Sequence, residues 1–517
     1  MAPKRKFRPQ PSSPRLGLLI PPLVLGALVW FVFNASVLYL TYPPPWPDEA
    51  LFADVSANLL HHGRMSTDLY AEFFPSMRQH YYLTPPLYHV LLAGWFGLFG
   101  FGIGALRAFS LLVAFGVIGA TYAVARQLGL SRTSAMVPSA LLALDAVFLR
   151  ASLLGRMDLL ALFFILLTVS LALGSMRGPT SGAPRLPLSK RALLLGITSA
   201  LAVLTHPVGA VAAVVSVGWA LAIAISSASE RKAQATSIAP MREILLPTFF
   251  GLAIGLLPWA IYAFRDLHAW MGQMAGQLQR KSSHEWMGPC LSILTRQWGI
   301  DSRLLIGAFV SGTAGLVIFC DRRPQGLTVV TSQILLTVVV LSSCEMWYPL
   351  YVMPFTYIGL GCAMSRLKQS AMWQRGLGVT ITAVALWFAQ QNVARVSAIR
   401  GPRSLFYGAD SGYADWCRQI GECLPESSTV LLDILPTPYF GLAPRHDLAF
   451  RLFPPAGFKV PEAQIRPSLE RMDYIVGGRA LANPEVRSFA MSHGEIVGEI
   501  GERRGPGYYA VVLKVTR

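Results

Sequence analysis

Residues 86–100 read PLYHVLLAGWFGLFG, and whether this run crosses a membrane sets the side on which every later loop lies. A spanning helix needs about 20 mostly apolar residues. The run is too short for an easy span and fits a re-entrant or half-buried helix. Longer apolar runs lie near 16–40, 104–125, 134–150, 158–175, 192–206, 208–226, 244–264, 303–320, 326–343, 347–364 and 376–393. Lys4, Arg5, Lys6, Arg8 and Arg15 precede the first of them, which puts residues 1–15 on the cytoplasmic side. If 86–100 does not cross, nineteen Lys and Arg fall inside, counted with the N-terminus, against nine in the outer loops. If it crosses, every later loop inverts and the inner excess of positive charge is lost. The sequence therefore predicts a polytopic α-helical membrane protein with eleven spans over 16–393. It has a first outer loop over 41–103 and a fourth over 265–302. No small-residue cleavage site follows the first span, so it reads as an uncleaved anchor and not as a removed signal peptide.

Composition agrees. Of 517 residues, 53% are hydrophobic and only 14% charged, with a mean hydropathy of +0.47; soluble domains carry about 25% charged residues. That excludes a disordered or fibrous chain and argues against an ordinary soluble enzyme. The net charge of +17 reflects basic cytoplasmic loops and does not point to nucleic acid. Six Cys show no metal-ligand spacing.

The pattern changes after residue 393. Strand-like runs (STVLLDIL, MDYIVGG, YYAVVLKV) alternate with helix-like stretches near 409–421, 461–472 and 484–493, which predicts a small extracytoplasmic α/β domain over 394–517. Cys417 and Cys423 stand six residues apart there. An oxidising compartment would permit a disulfide between them, provided the helix through Cys417 ends near Gly421. A straight helix would hold the two about 9 Å apart, beyond disulfide reach. The alternative is two unrelated thiols.

The ionisable residues of the spans gather toward the outer ends: Arg107, Asp145, Arg150, Asp158, His206 and Glu345. Charges in membranes are costly and usually functional. Transporters tend to place theirs near the midplane, so this clustering favours a reaction site at the outer surface over a conduction path. Loop-edge residues reaching to water are the plain alternative.

The first outer loop opens PPPWPDEALFADVSANLLHHGRM, residues 43–65. Pro47 suits the first turn of a helix, and Asp48 and Glu49 then fall where the helix dipole stabilises carboxylates. Asp48, Phe52, Val55 and Leu59 share one face. Asp48 so placed can act as a general base or bind a cation, or it can be one of a plain N-terminal acid pair. Asp158, after Arg156, starts a further helix and can be a second reacting carboxylate or a cap. In the fourth outer loop Arg280 and Lys281 lie beside His284, Glu285 and Trp286, a mixture that suits a phosphate headgroup or an interfacial helix without a ligand. His206 precedes Pro207, and Tyr348 and Tyr351 fit an aromatic belt as well as a site.

At these residues the sequence resembles a known superfamily. PDEALFADVSANLLHHGRMSTDLY, YYLTPPLYHVLLAGWFGLFG and GALRAFSLLVAFGVIGATYAVARQLGL are similar to the opening of bacterial GT-C glycosyltransferases, above all the lipid A aminoarabinose transferases and the protein O-mannosyltransferase-like enzymes (families 39 and 83). GRMDLLALFF, LTHPVGAV, QRKSSHEWMGP and WYPLYVMP follow in the expected order. The resemblance covers about residues 16–365. It implies a GT-C fold, a polyprenyl-phosphate sugar donor and inverting transfer outside the membrane to an envelope lipid, glycan or protein. It maps the acidic positions onto Asp48, with Glu49 beside it, and Asp158, which are also the ligands of any divalent cation. It places 86–100 as the second helix of the first loop. Three expected cationic positions differ: Thr84 precedes Pro85, His206-Pro207 closes span 5, and Trp347-Tyr348 precedes Pro349. These departures argue against the aminoarabinose transferase itself. Arg280, Lys281 and His206, with Tyr351 nearby, then take over the donor phosphate. The expected protein is a glycosyltransferase (hexosyl- or pentosyl-) in a bacterial inner membrane. The alternative is a transporter or flippase of lipid-linked sugar intermediates.

Overall fold

The computed structural model describes residues 14–175, 187–231, 239–282, 302–320, 323–343, 348–366, 372–400, 411–454, 460, 462–478, 483–502 and 508–516. Helices α1 (Pro14–Leu38), α4 (Ile103–Gln127), α7 (Asp158–Ser175), α8 (Leu188–Thr205), α9 (Ala210–Arg231) and α10 (Ala239–Ala263) lie over the expected apolar runs. So do Ser302–Phe319, Arg323–Ser343, Pro349–Arg366 and Met372–Arg400. Among the described residues, five helices are long and apolar enough to cross a membrane, and a bent pair makes a sixth. The last long helix runs to Arg400, beyond the boundary expected at 393.

That bent pair lies over the third expected apolar run. The run 134–150 is not one helix but α5 (Arg132–Ala143) and α6 (Ala146–Ser152), turned by 71°. The cause is Asp145. Its Oδ1 caps α6 by accepting from the Phe148 N–H at 2.7 Å, and its Oδ2 accepts from the Tyr357 hydroxyl at 2.5 Å.

The bundle closes tightly where small residues meet. Gly312 and Gly315 on Ser302–Phe319 face Thr356 and Gly359 on Pro349–Arg366, and a Cβ at Gly359 would collide with the Gly312 carbonyl. Gly196 on α8 meets the Thr248 carbonyl of α10 in the same way. Without a hydrophobic drive between helices in lipid, such backbone approaches carry much of the association.

The first outer loop holds α2 (Pro47–His62) and α3 (Leu87–Phe99). The run at 86–100 is therefore a short helix of 13 residues, well under a span. Its Tyr88, Leu92 and Phe96 are buried, while Val90, Leu98 and Phe99 are exposed.

After residue 410 comes a five-stranded sheet in the order β2-β1-β3-β5-β4, with β1 Thr429–Asp433, β2 Ala449–Leu452, β3 Tyr474–Gly477, β4 Gly494–Ile500 and β5 Ala510–Val515. β1 pairs parallel with β2 and β3, whereas β5 is antiparallel to both β3 and β4. Helices Ser411–Glu422, Glu462–Glu470 and Pro484–His493 match the three expected helical stretches. The edge strands β2 and β4 were not legible. This sheet and the first outer loop share one hydrophobic core, in which Phe52, Tyr88 and Met157 pack with Tyr439, Phe440 and Phe450.

The expected disulfide is not formed: Cys417 and Cys423 are both free. The helix runs on to Glu422 and does not stop at Gly421. Cys417 turns to the Pro438 carbonyl at 3.7 Å, while Cys423 lies by Gly498 of β4.

Candidate active site

Helix α2 starts as its sequence dictates. Trp46 is the extended N-cap, Pro47 takes the first helical position, and Glu49 at the third reaches back, its Oε2 accepting from the Trp46 N–H at 2.9 Å. Asp48 thus lies in the first turn, at the positive end of the dipole. The helix stops at Gly63 in the left-handed region, φ 65°.

Asp48 and Glu49 are neighbours with different surroundings. Glu49 is fully buried. Its Oε1 accepts from Arg107 Nε at 3.0 Å and from the Gly155 N–H at 2.9 Å; its Oε2 accepts from Arg107 Nη2 at 3.0 Å as well as from Trp46. A carboxylate offers about four lone-pair directions, and Glu49 spends them all. It ties the start of α2 to α4 and to the turn before Asp158. Arg107 completes the knot by donating to the Tyr39 and Pro43 carbonyls at 3.1 and 2.8 Å.

Asp48 instead faces Arg156, whose Nη1 pairs with its Oδ2. Arg156 Nε donates to Asp158 Oδ2 at 2.9 Å, and the Tyr351 hydroxyl donates to Asp158 Oδ1 at 3.2 Å. His206 stands alongside, its ring 6.0 Å from that of Tyr351. Its Nδ1 accepts from the Val208 N–H at 3.1 Å, and its Nε2 lies 3.2 Å from the Tyr348 oxygen. The guanidinium of Arg156 also lies over the Phe52 ring at 6.0 Å. The structure thus brings together Asp48, Asp158, His206 and Tyr351 from four separate segments. Asp48 is the open member, its side chain 29% exposed against 4% for Asp158.

Arg280 and Lys281 lie at the end of α11 (Leu267–Ser282), but their side chains fall outside the described residues, as do His284, Glu285 and Trp286. The helix itself is fastened to the first outer loop. Gln273 Oε1 accepts from the Tyr82 N–H at 2.7 Å, its Nε2 donates to the His80 carbonyl at 2.8 Å, and Gln277 Nε2 donates to the Leu83 carbonyl at 3.3 Å. Thr84 bonds His89 Nε2 at 2.8 Å, and Ser56 bonds Nδ1 at 3.2 Å. Burial pushes the His89 ring down to about 3, so it is a neutral core residue.

A divalent cation between Asp48 and Asp158 does not fit these residues. Mg²⁺ needs only one or two carboxylates beside waters and substrate phosphates, but Arg156 already occupies Oδ2 of both acids, so a cation bridging them would have to displace its guanidinium. Among the described residues no group of three or more His, Cys, Asp or Glu is placed to hold a metal.

Residues 70–271 match the sequence model of the dolichyl-phosphate-mannose-protein mannosyltransferase family, PMT. The crystal structure of ArnT from Cupriavidus metallidurans bound to undecaprenyl phosphate superposes with a TM-score of 0.56 over 97% of this chain and 98% of its own, at 16% identity. The archaeal oligosaccharyltransferase AglB from Archaeoglobus fulgidus, in complex with an inhibitory peptide and a dolichol-phosphate, gives 0.56 over 90% of this chain and 70% of its own, at 12% identity. Residues 70–271 are thus similar to the PMT family, and the chain as a whole shares the fold of these GT-C structures. No curated protein matches it in sequence. The matched stretch contains Arg156, Asp158 and His206 but begins after Asp48 and ends before Tyr351.

The sequence reading passed over Arg156 as a functional group and named no partner for Arg107. A buried Arg at a membrane helix start is itself a signal, but nothing in the pattern names its partner 58 residues away.

Proposed function

We propose that the protein moves a sugar from a polyprenyl-phosphate donor to a hydroxyl or amine acceptor at the outer face of a bacterial cell membrane, with inversion. The carrying observation is Asp48, half-exposed and next to a guanidinium that links it to Asp158. In this reading the acceptor O–H or N–H gives its proton to Asp48 as its lone pair attacks the anomeric carbon. The bond from that carbon to the phosphate oxygen breaks on the opposite face, and the electron pair leaves with the lipid phosphate. A positioned base of this kind contributes about 10²–10⁴-fold. Arg156, Arg280 and Lys281 are the cations for the growing phosphate charge, with His206 and Tyr351 beside it; Asp158 and Tyr351 orient Arg156.

The ArnT and AglB structures were solved with undecaprenyl phosphate and dolichol-phosphate respectively, which supports a lipid-phosphate donor. Eleven crossings with residues 1–15 inside and the C-terminal sheet outside agree with the loop charges. Hexosyl and pentosyl donors both fit. The test is transfer by purified protein from a panel of polyprenyl-phosphate sugars. Release or transfer that vanishes in Asp48→Asn supports the reading; near-wild-type turnover in that variant rejects it.

A further inference from the structure

The loop leaving β1 reaches the catalytic helix twice. The Thr437 N–H donates to the Pro45 carbonyl at 2.9 Å, just ahead of the N-cap of α2. Two residues on, the Tyr439 hydroxyl donates to Asp54 Oδ1 at 2.7 Å, on the turn after Asp48. The other Asp54 oxygen accepts from Thr67 at 2.6 Å and Asn58 at 3.3 Å. The Tyr413 hydroxyl braces the same loop by donating to the Thr437 carbonyl at 2.7 Å. Phe440 stacks on Phe101, ring centres 6.2 Å apart. At the end of β2, the Leu452 N–H donates to the Leu69 carbonyl at 2.7 Å. The carboxyl ends of parallel strands carry the working loops of α/β sheets. Here two of them face the first outer loop, and one holds the backbone before Asp48 and the Asp54 side chain after it.

We propose that the C-terminal domain is a positioning element for the transfer reaction, with Tyr439 and Asp54 as positioning residues that hold α2, and so Asp48, in place against Arg156 and Asp158. Neither residue touches the reacting atoms. The inference rests on the proposed glycosyl transfer for its kinetic consequences but not for its structural one.

Ionisation of Asp54 tunes the grip. Burial pushes its carboxyl up to about 6, against the hydrogen bonds from Thr67 and Tyr439 that pull it down; Asp68 of the first loop and Arg451 of β2 are the charged groups that face it. The charged carboxylate is the better acceptor for the Tyr439 hydroxyl, so the grip weakens as pH falls through about 6.

The test uses the full-length protein. Tyr439→Phe removes one hydroxyl and leaves the ring packing. Amide hydrogen exchange across residues 48–53, read without substrate, should rise several-fold in this variant, with exchange in α4 unchanged. With donor and acceptor present, kcat should fall roughly tenfold, the share that one hydrogen bond to a charged group can carry, while KM for the donor holds. The acid limb of the kcat profile should move to higher pH, because the hydroxyl no longer favours the charged form. Asp54→Asn should remove that limb, and the double variant should be no slower than the slower single one. Unchanged exchange and unchanged kcat in Tyr439→Phe would overturn the proposal, as would a fall confined to donor KM. If the wild-type protein transfers no sugar, the proposed function fails and the exchange measurement alone decides the grip.

Discussion

Glu49 and Arg107 form a fully buried two-pronged ion pair, Oε1 to Nε and Oε2 to Nη2 both at 3.0 Å, with neither side chain exposed. The pair joins α2 to α4, and through the Gly155 N–H it also fixes the turn that carries Arg156 and Asp158. One carboxylate thus sets the distance between the two acids of the candidate site. Removing one partner of a buried pair leaves an uncompensated charge and costs about 3–5 kcal/mol. Glu49→Gln should therefore lower the thermal midpoint of the purified protein markedly. Asp48→Asn, at a half-exposed site, should barely change it.

Arg156 holds the place a cation would take. Sugar transfer by the wild-type protein should survive exhaustive EDTA treatment; loss of activity restored by Mg²⁺ or Mn²⁺ would contradict this. Arg156→Lys keeps the charge but not the fork that reaches both carboxylates, and should reduce kcat by roughly 10²-fold, the scale of one lost electrostatic contact.

The close crossing of Ser302–Phe319 and Pro349–Arg366 leaves no room at Gly359, where any Cβ meets the Gly312 backbone. Gly359→Val should destabilise by about 1–3 kcal/mol or more. Gly307→Val on the same first helix, with open space around its Cα, serves as the control and should melt close to wild type.

Glu72 of the first loop receives Arg471 Nε at 2.9 Å, Arg78 Nη2 at 2.6 Å and Arg451 Nε at 3.4 Å. Burial pushes its carboxyl up, but the hydrogen bond from Arg471 and the charges of Arg451 and Arg78 outweigh it and hold the group below its ordinary value. A lowered acid stabilises the fold above its unfolded pKa and loses that contribution as pH falls through its folded one. Glu72→Gln should therefore be less stable than wild type at neutral pH. The gap should close on acidification below the ordinary Glu range, read as converging melting midpoints.

Much of this protein was legible locally. The proline, the acid pair and the glycine around 43–65 fixed α2 and its ends, because caps and first-turn acids act within a few residues. Loop charge separated the short helix at 86–100 from the spans. The three strand-like and three helix-like stretches after residue 410 appeared where expected.

What local pattern could not carry was partnership at a distance. Sequence set Glu49 beside Asp48 as an apparent equal, and only Arg107 and Gly155, brought in from other segments, showed one acid sealed in the core and the other left open. The bend at Asp145, the free thiols of Cys417 and Cys423, and the edge strands β2 and β4 depend likewise on what packs opposite them. Residue type and spacing determined the membrane helices, the position of the acids and the α/β tail, since hydropathy, helix dipole and backbone period are properties of short segments. Tertiary structure alone decided which carboxylate is open to solvent, that a guanidinium stands between Asp48 and Asp158, and that the tail bonds to α2, since burial and charge pairing are set by groups far apart in the chain.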